Sequence, residues 1–119
     1  MKKRNFNLFF HDILESINKI EKYTQDIDFE NFIDNTMVID AVTRNFEIMG
    51  EAVKYLPADI RNKFPEIPFK KIAGMRDKII HGYFGINYKY VWTAIKDDLP
   101  ILKPQIETAL RLLEKFDNE

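Results

Sequence analysis

The chain has 119 residues, of which 45% are hydrophobic, so it can build one domain with a real core, and a disordered protein is excluded. Its formal net charge of −1 excludes a protein that coats polyanions through bulk positive charge. The lack of cysteine excludes disulfides, thiolate metal sites and cysteine nucleophiles, and it agrees with a reducing cytoplasm, where we expect the protein. We expect neither a signal peptide nor a membrane span, because polar residues interrupt every long apolar run.

The first predicted helix covers about residues 5–23, because apolar side chains recur there at intervals of three and four. Its apolar stripe consists of Phe6, Phe9, Phe10, Ile13, Leu14, Ile17 and Ile20. His11 borders this stripe, and we expect it at the surface rather than in a catalytic role. Residues 24–32 are polar and acidic, and they are expected to form a loop or a frayed turn.

A second long helix is predicted to begin at residues 34–36, which are good N-cap types, and to end before Pro57. Gly50 inside it costs about 1 kcal/mol relative to alanine, which indicates a close contact with another helix. A polar row on this helix contains Arg44, Glu47, Glu51 and Lys54. The row is either a solvated face with ion pairs, or a face from which Arg44 or Glu51 supports the catalytic residues of a neighbouring helix.

The second half of the chain predicts shorter segments. Residues 57–63 can form a short helix with proline at its first position, and an extended joint with two prolines follows. Another helix is predicted over about residues 88–97, capped by Asn87, and a last helix over about residues 100–116. Pro100 is expected to kink or break the helical path between them.

These segments predict an all-α fold. We expect a single domain over residues 1–119, an antiparallel bundle of four main helices of which the last is kinked at a proline. Trp92 lies on an apolar row, and we expect it in the core rather than as a platform for stacking bases.

The segment between Ile72 and Phe84 carries an unusual set of polar residues, namely Arg76, Asp77, His81 and Tyr83. Apolar residues at helical spacing predict that this segment is a helix that stops at Gly82. Asp77 would then lie one turn before His81, where its carboxylate could orient the imidazole and raise the histidine pKa.

Arg76 precedes His81 by five positions, roughly 140° around a helix. One regular helix therefore does not aim both side chains at one small ligand. They can converge if the helix loosens before Gly82, or if two copies of the segment face each other across a dimer axis. Gly74 would allow a second backbone to approach on that side.

The motif Arg76-x4-His81-x-Tyr83 resembles the R-x4-H-x-Y motif of HEPN-domain proteins, specifically the HepT-like toxins. Further landmarks of that family occur in the same order: Met49-Gly-Glu-Ala52, Phe64-Pro-Glu-Ile-Pro-Phe69, Ile72-Ala-Gly-Met-Arg76, His81-Gly-Tyr-Phe84, Val91-Trp92 and Asp98-Leu-Pro100. Two positions depart from the pattern, since Phe69 stands where tryptophan is usual and Asp77 where asparagine is commoner.

The resemblance implies a HEPN-like homodimer that acts as a metal-independent endoribonuclease, the toxin of a type VII-like toxin–antitoxin system. Arg76 and His81 of two protomers would be the catalytic residues at the dimer interface. The resemblance also implies a partner, a minimal nucleotidyltransferase antitoxin of the MntA type. This partner would transfer AMP to the hydroxyl of Tyr83 and so silence the toxin. Neither a cofactor nor a membrane is implied.

The residues themselves allow this chemistry. The sequence has no metal-ligand spacing, no phosphate-binding glycine loop and no dinucleotide fingerprint, which leaves histidine, arginine and hydroxyl groups. RNA carries its own nucleophile, the 2′-hydroxyl, so a histidine can move protons while an arginine binds the phosphate with two parallel donors. Lys70, Lys71 and Lys78 could add a cationic rim.

Other interpretations stay open. The chain could be a non-catalytic helical subunit that binds a nucleotidyltransferase and presents a substrate to it. It could also be a structural bundle in which Arg76 and His81 only satisfy each other at an interface. The ring of Tyr83 could pack under the helix end whether or not its hydroxyl is modified.

Overall fold

The computed structural model describes residues 6–80 and 85–117, with side chains up to Lys115. The helices in these ranges are α1 (Asn7–Thr24), α2 (Phe29–Ile33), α3 (Thr36–Lys54), α4 (Ala58–Asn62), α5 (Phe69–Ile79), α6 (Tyr88–Thr93) and α7 (Leu99–Asp117). A π-helical segment, Ala94–Asp98, joins α6 to α7. The all-α prediction is therefore confirmed, and none of these helices is long and apolar enough to cross a membrane.

The core lies where the apolar stripes meet. Helix α1 packs against α3 and α7, and α3 packs against α5. The predicted stripe of α1 supplies Phe10, Ile13, Ile17 and Ile20, and α3 supplies Phe46 and Met49, all of them fully buried. Phe6, Phe9 and Leu14 are only partly buried and line its edge.

Helix α2 corrects the prediction of a loop over residues 24–32. The Asp28 carboxylate accepts a hydrogen bond from the Asn31 backbone N–H at 2.8 Å and caps the helix. Phe32 is fully buried, and its ring centroid lies 5.1 Å from that of Trp92. Trp92 itself is half-buried, with the Lys96 ammonium 4.7 Å above its ring, so it sits at the boundary of the core.

The two interior glycines differ in their surroundings. A Cβ added to Gly50 would lie 3.4 Å from the Ile72 carbonyl oxygen and 3.5 Å from that of Ala73, which confirms a close contact between α3 and α5. A Cβ added to Gly74 would meet no atom within 4 Å. Within the described ranges, Gly74 thus meets no second backbone.

Helix α5 ends earlier than predicted. It stops at Ile79, and Ile80 is extended, with φ −104° and ψ 118°. Ile80 forms an antiparallel bridge with Ile86, and the Asn87 backbone N–H donates to the Ile79 carbonyl at 2.7 Å. The prediction of a helix up to Gly82 is therefore wrong, because this pairing takes over the backbone groups that the next turn would use.

The C-terminal half follows the prediction with one change. The Asn87 side chain accepts a hydrogen bond from the Tyr90 N–H at 3.1 Å and caps α6, as expected. The helical path is then continuous into α7, and the irregularity expected at Pro100 is the π-helical segment just before it. That segment contains Lys96, whose carbonyl the Pro100 ring would crowd in a regular α-helix.

The contact at Gly50 can be tested by overpacking. Gly50→Leu is expected to lower the free energy of unfolding by about 1–3 kcal/mol, because its side chain must displace the α5 backbone. Gly74→Leu is the matched control, and it should not lower stability, since it replaces a helical glycine in open space. Urea denaturation at one protein concentration measures both. Equal stability of the two variants would contradict the close contact.

Candidate active site

Arg76 lies on the exposed side of α5. Ile72, Met75 and Ile79 are buried on the other side of the helix, which turns position 76 away from the core. The Arg76 side chain is 56% exposed, with its Nε 4.0 Å from Glu47 Oε2 on α3 and one terminal nitrogen 3.6 Å from Asp77 Oδ1. A guanidinium held loosely by two carboxylates remains available to a phosphate.

A small depression surrounds this guanidinium, which we call the Arg76 site. Its lining residues come from α3 and α5 and are Glu47, Gly50, Glu51, Lys54, Ala73, Arg76 and Asp77. The close approach of the two helices at Gly50 forms its floor. The site contains two cations. Lys54 pairs with Glu51 of its own helix at 3.5 Å, whereas Arg76 lies near Glu47 of α3 and Asp77 of α5.

Two residues of α3, Arg44 and Glu51, are candidates to support the site, and they lie in different depressions. Glu51 lines the Arg76 site, whereas Arg44 lines a neighbouring depression with Phe9 and Tyr55. The α3 carboxylate that pairs with Arg76 is Glu47, a member of the same polar row. Glu47 lies three residues before Gly50, and residues at that spacing share a helix face, so the contact at Gly50 indicates that Glu47 faces α5.

The predicted cationic rim is wrong for Lys71. The Lys71 ammonium pairs with the Asp98 carboxylate at 3.3 Å, at the edge of a cavity of about 200 Å³ between α5 and α7. This cavity opens on the other side of α5 from Arg76. Lys70 and Lys78 are exposed.

His81 and Tyr83 lie outside the described residues, so their predicted roles stay predictions. The helix ends before Gly82, which is one of the two conditions for Arg76 and His81 to converge. The predicted contact between Asp77 and His81 also stays a prediction. Ile80 and Ile86, paired to each other, mark the two ends of the stretch that contains the motif histidine and tyrosine.

The other histidine lies at the surface, as expected. His11 is about half-exposed, and its Nε2 lies 3.2 Å from Glu114 Oε1 on α7. No group of three histidine, aspartate or glutamate side chains could hold a metal ion within residues 6–80 and 85–115.

Comparison with known proteins places the chain in a family. The model of the "Ribonuclease HepT-like" family matches residues 13–109. The chain therefore belongs to the HepT-like ribonuclease family, as the motif and its landmarks predicted.

Named relatives cover nearly the whole chain. "Putative RNase MJ0125" of Methanocaldococcus jannaschii is 47% identical over 115 residues, 97% of this chain and 99% of the relative. "Putative RNase MJ1216" of the same organism is 45% identical, over 98% of this chain and 97% of the relative. "Probable ribonuclease HepT" of Thermococcus cleftensis is 43% identical, over 88% of this chain and 96% of the relative. No solved structure matches the chain.

The pairing of Glu47 with Arg76 should contribute little to folding. Glu47→Gln is expected to change the free energy of unfolding by less than about 1 kcal/mol, because the pair is long and partly exposed. Glu15→Gln, which removes the exposed pair with Lys19 at 3.0 Å, is the matched control. Urea denaturation of both variants checks this. A loss of several times that size in Glu47→Gln alone would show that the pair is structural rather than a feature of an open site.

Proposed function

We propose that the protein is a metal-independent endoribonuclease, the toxin of a type VII-like toxin–antitoxin system. Arg76 and His81 carry the chemistry, contributed by two protomers of a homodimer. The observation that carries the proposal is the family match over residues 13–109, which includes the complete Arg76-x4-His81-x-Tyr83 motif. The exposed Arg76 guanidinium supports it, since a phosphate can reach it without unfolding the core.

The reaction uses the nucleophile of the substrate. The His81 imidazole of one protomer takes the proton of the ribose 2′-hydroxyl, and the 2′-oxygen forms a bond to phosphorus. The bond from phosphorus to the 5′-oxygen breaks, and the imidazolium formed in the first step returns a proton, through water, to this leaving oxygen. The products are a 2′,3′-cyclic phosphate and a 5′-hydroxyl.

Arg76 stabilises the charge that develops on the phosphorane. Its guanidinium donates to the non-bridging oxygens, and it stays charged throughout. Glu47 and Asp77 hold it from two sides in the absence of RNA. A phosphate that binds two guanidinium nitrogens would exchange these long contacts for shorter charge-assisted hydrogen bonds.

Substitution of the two motif residues tests the site. Arg76→Ala and His81→Ala are each expected to lower the rate of RNA cleavage in EDTA by about 10²–10³-fold, the usual effect of losing a charge-stabilising or proton-transferring group. His11→Ala and Arg111→Ala are matched controls at exposed positions and should cleave normally. The assay follows a labelled RNA and identifies cyclic phosphate ends. Full activity of both motif variants would refute the assignment.

The modification of Tyr83 has its own test. Incubation with a cognate minimal nucleotidyltransferase and ATP should add adenylate to the wild type and to Tyr88→Phe, but not to Tyr83→Phe. The adenylated protein should lose cleavage, because a bulky anion two residues from His81 competes with RNA for Arg76. Intact-protein and peptide mass spectrometry measure the addition. Adenylation without cleavage by the unmodified chain would favour a non-catalytic subunit instead.

A further inference from the structure

A second depression adjoins the Arg76 site between α1 and α3. Arg44, Ile48 and Glu51 of α3, spaced by four and three, and Tyr55, directly after α3, line it on one side. Phe9 and Asp12 of α1 complete the lining, with Phe9 in contact with Tyr55, and the space is about 180 Å³. Glu51 lines both depressions, so the two adjoin at this residue. We call the second depression the Tyr55 pocket.

An aromatic pair forms one wall of the Tyr55 pocket. The rings of Phe9 and Tyr55 are stacked, with centroids 5.2 Å apart and planes inclined by 7°. Tyr55 is 53% exposed, whereas Phe9 is partly buried against the core. Tyr55 therefore keeps about half of its surface open to solvent while its ring packs on Phe9, and an exposed aromatic ring is a group on which a nucleobase can stack.

The pocket is lined by one cation, Arg44, and two carboxylates, Asp12 and Glu51, and Glu51 is paired with Lys54 at 3.5 Å. Within the described residues, Arg44 and Asp12 form no hydrogen bond or ion pair, and both are exposed. A phosphate gains little here, because the carboxylates of Asp12 and Glu51 offset the guanidinium. An uncharged ring with donors and acceptors on its edge fits better, since Arg44 can donate to it and Asp12 can accept from it.

We infer that the Tyr55 pocket binds one unpaired nucleobase of the RNA substrate, beside the phosphate that Arg76 binds. The inference rests on the proposed function and adds a binding subsite to it. The base stacks on Tyr55, while Arg44 and Asp12 contact its edge. The shared residue Glu51 lets one strand pass from the pocket to the Arg76 site. The substrate is therefore single-stranded RNA or a loop, because a paired base cannot leave its helix to enter the pocket without cost.

Binding of an uncleavable RNA analogue tests the subsite apart from cleavage. The probe is a short fluorescent 2′-O-methyl oligonucleotide, with a second series in which each position in turn is abasic. Tyr55→Leu should weaken binding by about tenfold, the effect expected from losing one stacked base. One abasic position should weaken binding to the wild type similarly and should have no further effect in Tyr55→Leu.

Conservative and remote variants provide the controls. Tyr55→Phe keeps the flat ring and should restore affinity, and Tyr23→Leu, at a 37% exposed tyrosine of α1, should bind like the wild type. Arg44→Gln, at an exposed position, should also weaken binding and serves if Tyr55→Leu fails to fold. In cleavage assays, these variants should raise KM and leave kcat unchanged.

The outcomes separate this inference from the proposed function. Equal affinity of wild type, Tyr55→Leu and Arg44→Gln, with cleavage intact, overturns the subsite alone. A wild type that neither binds nor cleaves RNA overturns both. A change in native mass for Tyr55→Leu, measured by light scattering, would show that the aromatic pair is a protein interface and would also overturn the subsite.

Discussion

The contact between α3 and α5 at Gly50 is the constraint on which the candidate site depends. Because position 50 has no side chain, the α5 backbone can lie against α3 at van der Waals distance. Arg76 and Glu47 come within 4.0 Å of each other only because the two helices are this close. Glu51 is exposed on α3 and lines both the Arg76 site and the Tyr55 pocket.

The end of α5 is the second constraint. An ideal helix would carry Arg76 and His81 to different sides, roughly 140° apart. The helix instead ends at Ile79, and Ile80 is extended and pairs with Ile86, so the chain leaves the helix before it reaches the motif histidine. In the proposed dimer, each protomer would supply its exposed arginine to the histidine of the other. The homodimer thus remains part of the proposal.

Helices whose apolar residues repeat at regular spacing can be predicted from the sequence. Helix boundaries that depend on one local contact cannot. The apolar stripe of α1 is long, and its buried members Phe10, Ile13, Ile17 and Ile20 follow from their spacing. Helix α2 was missed because its one turn of apolar residues lies among carboxylates, and only the Asp28 cap and the burial of Phe32 make it a helix. The early end of α5 depends on the pairing of Ile80 with Ile86, which no helical period can reveal.

At the candidate site, too, some residues can be predicted from the sequence and others only from the packing of the helices. Arg76 was predicted from the motif, and the family match agrees with the landmarks around it. Glu47 was not singled out, because four polar residues of α3 share a similar spacing, and only the packing of α5 selects among them. The Tyr55 pocket combines residues from two helices, and Phe9 had been assigned to the core stripe of α1.

Subunit complementation tests most directly whether the site is built from two protomers. Arg76→Ala and His81→Ala proteins would be mixed, exchanged into heterodimers and assayed for RNA cleavage in EDTA. The account predicts that activity returns, because one of the two interfacial sites then combines the arginine of one subunit with the histidine of the other. Heterodimers confirmed by native mass spectrometry that remain as inactive as either parent would contradict it.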